Sequence, residues 1–149
     1  LGPAEIRVRL LRPNARLPKR ATGGSVGYDL CAAIDEPVTL QPGETAYIDS
    51  GIAIELPEDA SVAGLVFARS GLGSKHGIIL ANGVGVIDGD YRGECRSILY
   101  NRSKTPYTIQ PGDRVAQLVF VPVLTPRLIE AAELSETGRG AGGYGSTGR

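Results

Sequence analysis

Glycine and proline punctuate this chain so closely that no long amphipathic helix can run through it. The 149 residues include 21 Gly and 10 Pro, and the apolar runs between them are short. Within those runs the side chains alternate. Ile6, Val8 and Leu10 are interleaved with Arg7 and Arg9, which is the period of a half-buried strand. Ile52, Ile54 and Leu56 alternate in the same way, and Glu44 to Ser50, Val62 to Phe67, Arg96 to Asn101 and Arg114 to Val121 read as further strands. Pro42-Gly43 and Pro111-Gly112 supply turns between them. Many short strands separated by turn signals predict an all-β sandwich or barrel. One short helix fits Leu72 to His76, just after Ser70-Gly71.

The strand that starts at Arg114 is apolar on both faces. Val115, Val119, Val121 and Val123 fall on one face, and Ala116, Leu118 and Phe120 on the other. Such a strand either lies inside a sandwich or turns one face to another subunit. Gln117 is its lone polar side chain. It reads equally as a hydrogen-bonded amide of the core or interface and as a functional group.

Composition narrows the class. The length suits one domain, and 42% hydrophobic with 21% charged residues is an ordinary globular composition. No stretch approaches the ~18 apolar residues of a membrane span. Charge is interleaved with apolar residues from Leu1 to Leu10, unlike a secretory signal. A net charge of zero gives no electrostatic case for a nucleic-acid or membrane partner. Cys31 and Cys95 read as buried free thiols of a reducing, cytoplasmic compartment, with a disulfide between them as the alternative. With His76 as the one histidine, a zinc site made by the protein alone is not expected.

Four stretches carry possible chemistry. From Ser135 the chain becomes small, polar and Gly-rich, so residues 135–149 are expected to form a mobile arm after a domain spanning 1–134. Gly140 to Gly145 spells GxGxxG, but without the flanking strand and helix of a dinucleotide site. The arm reads either as a solvated tail or as a polyphosphate wrap, built from glycine N–H groups, the Ser146 and Thr147 hydroxyls and the Arg139 guanidinium. Arg69-Ser70-Gly71, between a strand and the short helix, is a second anion candidate; the alternative is an N-cap serine beside a surface arginine. In Asn82 to Gly93, Asn-Gly signals a hairpin, and Asp88 and Asp90 share a face if the strand continues. Asp88 follows Val86-Ile87 and is expected to be partly buried, where a carboxylate needs a partner or a role. The alternative is a hairpin with solvated acids. Asp29, within Gly24 to Leu30, reads as an acid at a turn or strand edge.

Taken in order, these stretches resemble the trimeric dUTP pyrophosphatase (dUTPase) family, which has five ordered motifs. The matches are GSVGYDL (Gly24 to Leu30), ARSGLGSKHG (Ala68 to Gly77), NGVGVIDGDYRG (Asn82 to Gly93), PGDRVAQLVF (Pro111 to Phe120) and RGAGGYGSTG (Arg139 to Gly148). They run through nearly the whole chain. The resemblance implies a distorted jelly-roll β-barrel subunit with one short helix and a flexible arm. It also implies a homotrimer whose three sites are shared between chains, a substrate of dUTP, and Mg²⁺ as cofactor.

The roles that follow are those the resemblance implies. Asp88 is the catalytic carboxylate, the general base that positions and deprotonates the water attacking the α-phosphorus. Tyr91 packs under the deoxyribose and leaves no room for a 2′-hydroxyl. Asn82, Gly85, Val86 and Ile87 belong to the uracil reader, and a site built to hydrogen-bond one base edge rejects the wrong pattern by ~10⁴ or more. Ser70 and Gly71 are phosphate ligands, Arg69 is a nearby charge partner, and Gln117 lies near the metal-triphosphate. Asp29 and Gln117 approach Mg²⁺ through water, because this ion keeps waters and takes phosphate oxygens directly. In the arm, Arg139, Gly145, Ser146 and Thr147 contact phosphate and Tyr144 stacks on uracil. Val26 and Tyr144 depart from the usual Ala and Phe without removing a reacting group. The rivals are a dCTP deaminase-like or bifunctional relative, for which no deaminase context surrounds Glu94, and a regulatory binding trimer of the same fold.

Overall fold

The computed structural model describes residues 5–148, so the ends of the expected domain and arm, residues 1–4 and Arg149, lie outside the described residues. Ten strands form: β1 (Arg7–Leu10), β2 (Tyr28–Cys31), β3 (Val38–Leu40), β4 (Thr45–Glu55), β5 (Val62–Ala68), β6 (Ile78–Leu80), β7 (Gly85–Ile87), β8 (Glu94–Asn101), β9 (Tyr107–Ile109) and β10 (Arg114–Pro122). The short helix falls at Leu72–His76, as a turn of π-helix ended by Gly77. The strands make two four-stranded antiparallel sheets, β1-β4-β8-β6 and β2-β10-β5-β7, with a β3-β9 pair at the side. This is the all-β jelly-roll architecture.

Alternation explains the layers. Along β8, Cys95, Ser97, Leu99 and Asn101 point inward, while Glu94, Arg96, Ile98 and Tyr100 are more open. Ile52, Ile54 and Leu99 of one sheet meet Leu30, Val66 and Leu118 of the other in one core. Each such side chain contributes about 1.5–3 kcal/mol by leaving water. Ser50 donates to the Cys95 carbonyl inside this layer. The buried Asn101 ties down the loop after β8: its amide donates to the carbonyls of Leu40 (2.9 Å) and Thr105 (2.8 Å), and its Oδ1 accepts from Ser103.

Two sequence expectations change. The runs ending at Ser50 and starting at Ile52 are one strand, β4, broken in register between Asp49 and Ala53. Gly51 makes the break: its φ is +69°, and a Cβ there would lie 2.6 Å from that of Ala15. The Asn82-Gly83 turn is not a hairpin. It joins β6 to β7, which belong to different sheets, so it carries the chain across the sandwich.

β10 lies between β2 and β5. Val115, Ala116 and Leu118 are buried on it, but Val119, Phe120 and Val121 are only half-buried. Both apolar faces therefore stay partly open towards Pro122. After Pro122, residues 123–148 form neither strand nor helix. Among the described residues no helix is long and apolar enough to cross a membrane.

Candidate active site

Cross-strand register assembles the first half of the site. Asp29 on β2 pairs with Gln117 on β10, and Gln117 pairs on its other side with Phe67 on β5. The chain leaves β5 at Ala68, so Arg69 and Ser70 emerge beside that pair. Together with Gly27 and Arg114 they line a pocket of about 290 Å³. The Asp29 carboxylate faces two cations, with Arg69 Nε at 3.3 Å and Arg114 Nη1 at 3.5 Å. Arg69 also donates to the Arg114 carbonyl at 3.2 Å. Two guanidiniums against one carboxylate leave a net positive pocket, suited to an anion. Gln117 Nε2 donates to the Ala68 carbonyl at 3.0 Å, and its Oε1 lies against Gly27, where a Cβ would collide with it. That Oε1 accepts no hydrogen bond among the described residues. Gly71 is exposed at the start of the helical turn, with open space around it.

The second half forms around β7. Gly85, Val86 and Ile87 pair with Val66, Leu65 and Gly64 of β5, and Ile87 is buried while Val86 is exposed. Before them, Asn82 Nδ2 donates to the Val84 carbonyl at 3.4 Å, and Gly83 N–H donates to that of Leu80 at 3.1 Å. The strand stops at Ile87. Asp88, expected to be partly buried, is exposed, because the chain turns at Gly89-Asp90 rather than continuing; for the same reason Asp88 and Asp90 do not share a strand face. Among the described residues the Asp88 carboxylate has no hydrogen-bond or ion-pair partner. Tyr91 is 46% exposed, with its hydroxyl donating to the Glu94 carbonyl at 3.0 Å.

The third group stands apart. Residues 124–148 make no hydrogen bond to the rest of the described chain. Within this segment Arg139 Nε donates to the Gly142 carbonyl at 2.6 Å. A Cβ on Gly142 would lie 3.2 Å from Ser146 Oγ and 3.7 Å from Arg139 Cγ, so these two side chains flank one glycine. Gly145 has φ +87°, and Tyr144 and Thr147 are exposed.

The structure thus joins Asp29, Arg69, Ser70 and Gln117 in one pocket and leaves Asp88 with Tyr91, and the arm, elsewhere. Arg114 belongs to that pocket and was missed; its place directly after Pro111-Gly112-Asp113, opening β10, was the available signal. No group of three or more His, Cys, Asp or Glu side chains converges among the described residues. Cys31 and Cys95 are free, but only Cys95 is buried, Cys31 being half-buried on β2, and burial pushes the Cys95 thiol up to about 11.

Comparison with known proteins gives the family. Residues 13–148 match the dUTPase family. The chain is 53% identical over 133 residues to the deoxyuridine 5'-triphosphate nucleotidohydrolase of Desulfitobacterium hafniense, covering 89% of this chain and 87% of that protein. It is 52% identical over 133 residues to the protein of the same name from Burkholderia mallei, covering 89% of each. Among solved structures it is similar to a Staphylococcus bacteriophage 80alpha dUTPase with dUPNHPP, at a TM-score of 0.90 and 32% identity over 99% of this chain and 100% of that one. It is also similar to a dUTPase from phage phi11 of S. aureus in which a structural Mg(II) ion is coordinated, at a TM-score of 0.80 and 32% identity over 89% and 99% of the chains.

Proposed function

The chain belongs to the dUTPase family, and from that premise we infer that it hydrolyses dUTP to dUMP and pyrophosphate as a homotrimer with sites shared between copies. One distance carries the sharing. Ala68 pairs with Ala116 at one end of β5, and Gly64 pairs with Ile87 towards the other. Asp88, just past Ile87, falls near the level of Ala63, roughly 20 Å from Arg69 at ~3.3 Å per residue. A base must lie within hydrogen-bond reach of the water it deprotonates. Asp88 therefore cannot serve a phosphate held at Arg69 of its own chain, even along the length of a triphosphate. A second copy brings the halves together, and the arm of a third closes over them.

Uncovered apolar surface supports assembly. An open depression of about 640 Å³ is lined by Ile6, Val8, Tyr28, Leu118, Phe120 and Val121, among others. Leu124, Leu128, Ile129 and Leu134 stand exposed beyond it. Apolar area of this extent marks a contact surface.

In the reaction, Asp88 takes a proton from water. The water oxygen bonds the α-phosphorus, the bond from that phosphorus to the bridging oxygen breaks, and pyrophosphate leaves. The exposed Asp88 carboxylate, unpaired among the described residues, is available for that proton. Arg69, Arg114, Ser70 and Gln117 hold the phosphates, and Arg139, Ser146 and Thr147 add donors from the arm, stabilising charge that develops on the leaving group. The Tyr91 ring lies under the deoxyribose and excludes a 2′-hydroxyl. Backbone groups from Asn82 to Ile87 read the uracil edge, and Tyr144 stacks on the base.

The residues fit Mg²⁺ held through phosphate. The Asp29 carboxylate is already charge-matched by two arginines, and the spare Gln117 Oε1 can accept from a bound water. When bound, the ion would neutralise triphosphate charge, with Asp29 and Gln117 reached through water. The free thiols suit a reducing, cytoplasmic setting.

Pyrophosphate release from dUTP, dCTP, dTTP and UTP, each with and without Mg²⁺, tests the reading. Selective, Mg²⁺-dependent release from dUTP is expected. Ammonia from dCTP would move the chain to deaminase chemistry, and a folded trimer that turns over no nucleotide would leave only a binding role.

A further inference from the structure

The turn that carries Asp88 is fastened by a side chain that the reaction does not use. Tyr91 N–H donates to the Asp88 carbonyl at 3.2 Å. That closes the turn but leaves it free to swing as a unit. Gly89 restrains one side: it is buried between the exposed Asp88 and Asp90, and a Cβ there would collide with the Pro57 carbonyl. Arg92 restrains the other. Its Nη1 donates to the carbonyls of Gly89 (2.7 Å) and Tyr91 (3.1 Å), and its Nη2 donates to that of Leu56 (3.2 Å). Leu56 directly follows β4, so one guanidinium ties the turn to the opposite sheet. The receiving loop is itself held, with Ala60 N–H on the Pro57 carbonyl (3.3 Å) and Ser61 N–H on Asp59 Oδ1 (2.9 Å). Glu58 stands 3.8 Å from the guanidinium with its side chain 82% exposed, and contributes little. The Tyr91 ring has its own seat: it lies against Gly93, where a Cβ would be 2.5 Å from Cζ.

We propose that Arg92 is a positioning residue, which pins the turn from Asp88 to Arg92 against the end of β4 and so fixes the Tyr91 ring and the Asp88 carboxylate for the reaction. This rests on the roles given above to Asp88 and Tyr91. A guanidinium presents its donors in a rigid planar fork, which a lysine or glutamine cannot match across three carbonyls. Without it the turn can drift, and a misplacement of about 1 Å costs on the order of 10²-fold in rate. The ring drifts with the turn, so sugar discrimination weakens as well.

The test is steady-state kinetics of the full chain on dUTP and UTP. Arg92→Ala is expected to lower kcat on dUTP by about 10- to 100-fold and to narrow the ratio of kcat/KM for dUTP over UTP by about tenfold. That ratio does not depend on the fraction of enzyme that is folded, so mere loss of stability leaves it unchanged. Arg92→Lys is expected to recover part of both effects, and Glu58→Gln to match the wild type. Wild-type selectivity in Arg92→Ala, whatever its kcat, overturns the proposal. Where Arg92→Ala gives no soluble protein, Arg92→Gln carries the same expectation and the same refutation. Failure of the unmutated chain to hydrolyse dUTP would instead overturn the functional reading beneath it.

Discussion

Two inactive variants are expected to restore each other if Asp88 of one copy serves the phosphate pocket of another. Asp88→Asn removes the base with little change of shape, and loss of a general base costs about 10²- to 10⁴-fold. Arg69→Ala removes a phosphate ligand from the other half of the site, while Arg114 remains 3.5 Å from the Asp29 carboxylate and keeps it paired. Refolded together at equal amounts, the two chains assemble at random. A complete site then needs its Asp88 from an Arg69→Ala chain and its Arg69 from an Asp88→Asn chain. Each choice has a chance of about one half, so about a quarter of the sites are complete. Pyrophosphate release from the mixture is therefore expected to reach about 25% of the wild-type rate, against residual traces in either parent. Verification that the trimers are mixed, by two affinity tags, completes the assay. Mixed trimers no more active than the mean of their parents would show that base and pocket act within one chain, and the argument from the length of β5 would be wrong.

Three further outcomes follow from other parts of the molecule. Deleting residues 138–149 is expected to leave assembly and thermal stability unchanged, since residues 124–148 make no hydrogen bond to the rest of the described chain, but to lower turnover about tenfold or more through lost phosphate donors; full activity in the truncated enzyme would make the arm dispensable. Asn101→Ala strands the buried carbonyl of Leu40 and frees the loop at Thr105, so urea unfolding is expected to show a loss of about 2–4 kcal/mol; a loss under ~0.5 kcal/mol would mean that water replaces the amide. The Cys95 thiol is raised from the ordinary 9.0 to about 11, chiefly by burial and then by the Glu94 charge. The folded state thus holds this proton more tightly than the unfolded state, so its contribution is full below about 9 and is lost as pH climbs towards about 11. Alkylation followed by mass spectrometry at pH 8 is expected to leave Cys95 unmodified until urea is added; rapid native labelling would contradict its burial.

Period-two alternation was enough to expose the sandwich, because each strand of an antiparallel sheet with one covered face must write that face into its sequence. Breaks in that rule were not legible. Around Gly51 the residues Ile52, Ala53 and Ile54 are all buried, so the pattern looked like two strands when the chain makes one bent strand. Asn82-Gly83 carries the local chemistry of a hairpin, yet the partners of a turn's flanking strands are chosen by the sheets they join. Asn101 was hidden for a related reason. An asparagine among strand residues reads as solvated, and only the loop folding back over it supplies the partners that let it be buried.

Candidate site residues could be named from the sequence, because anion binding and water activation each need particular side chains. The site was not legible as a place. Arg92 bonds only carbonyls, so nothing in its immediate sequence separates it from a surface arginine, and Arg114 is marked only by its place at the opening of β10. Asp88 was misplaced because Val86-Ile87 suggested burial, whereas a strand that ends at Ile87 presents the next carboxylate to solvent. That exposure has a consequence for assembly. Because β7 runs antiparallel to β5, a short β7 must release Asp88 towards the Val62 end, while the loop after Ala68 opens at the other. The same pairing that buries Ile87 against Gly64 separates Asp88 from the Arg69 pocket within one chain. No side-chain rearrangement spans roughly 20 Å without unzipping that ladder, so the site proposed above calls for a second subunit, and the half-buried end of β10 offers a surface on which it could pack.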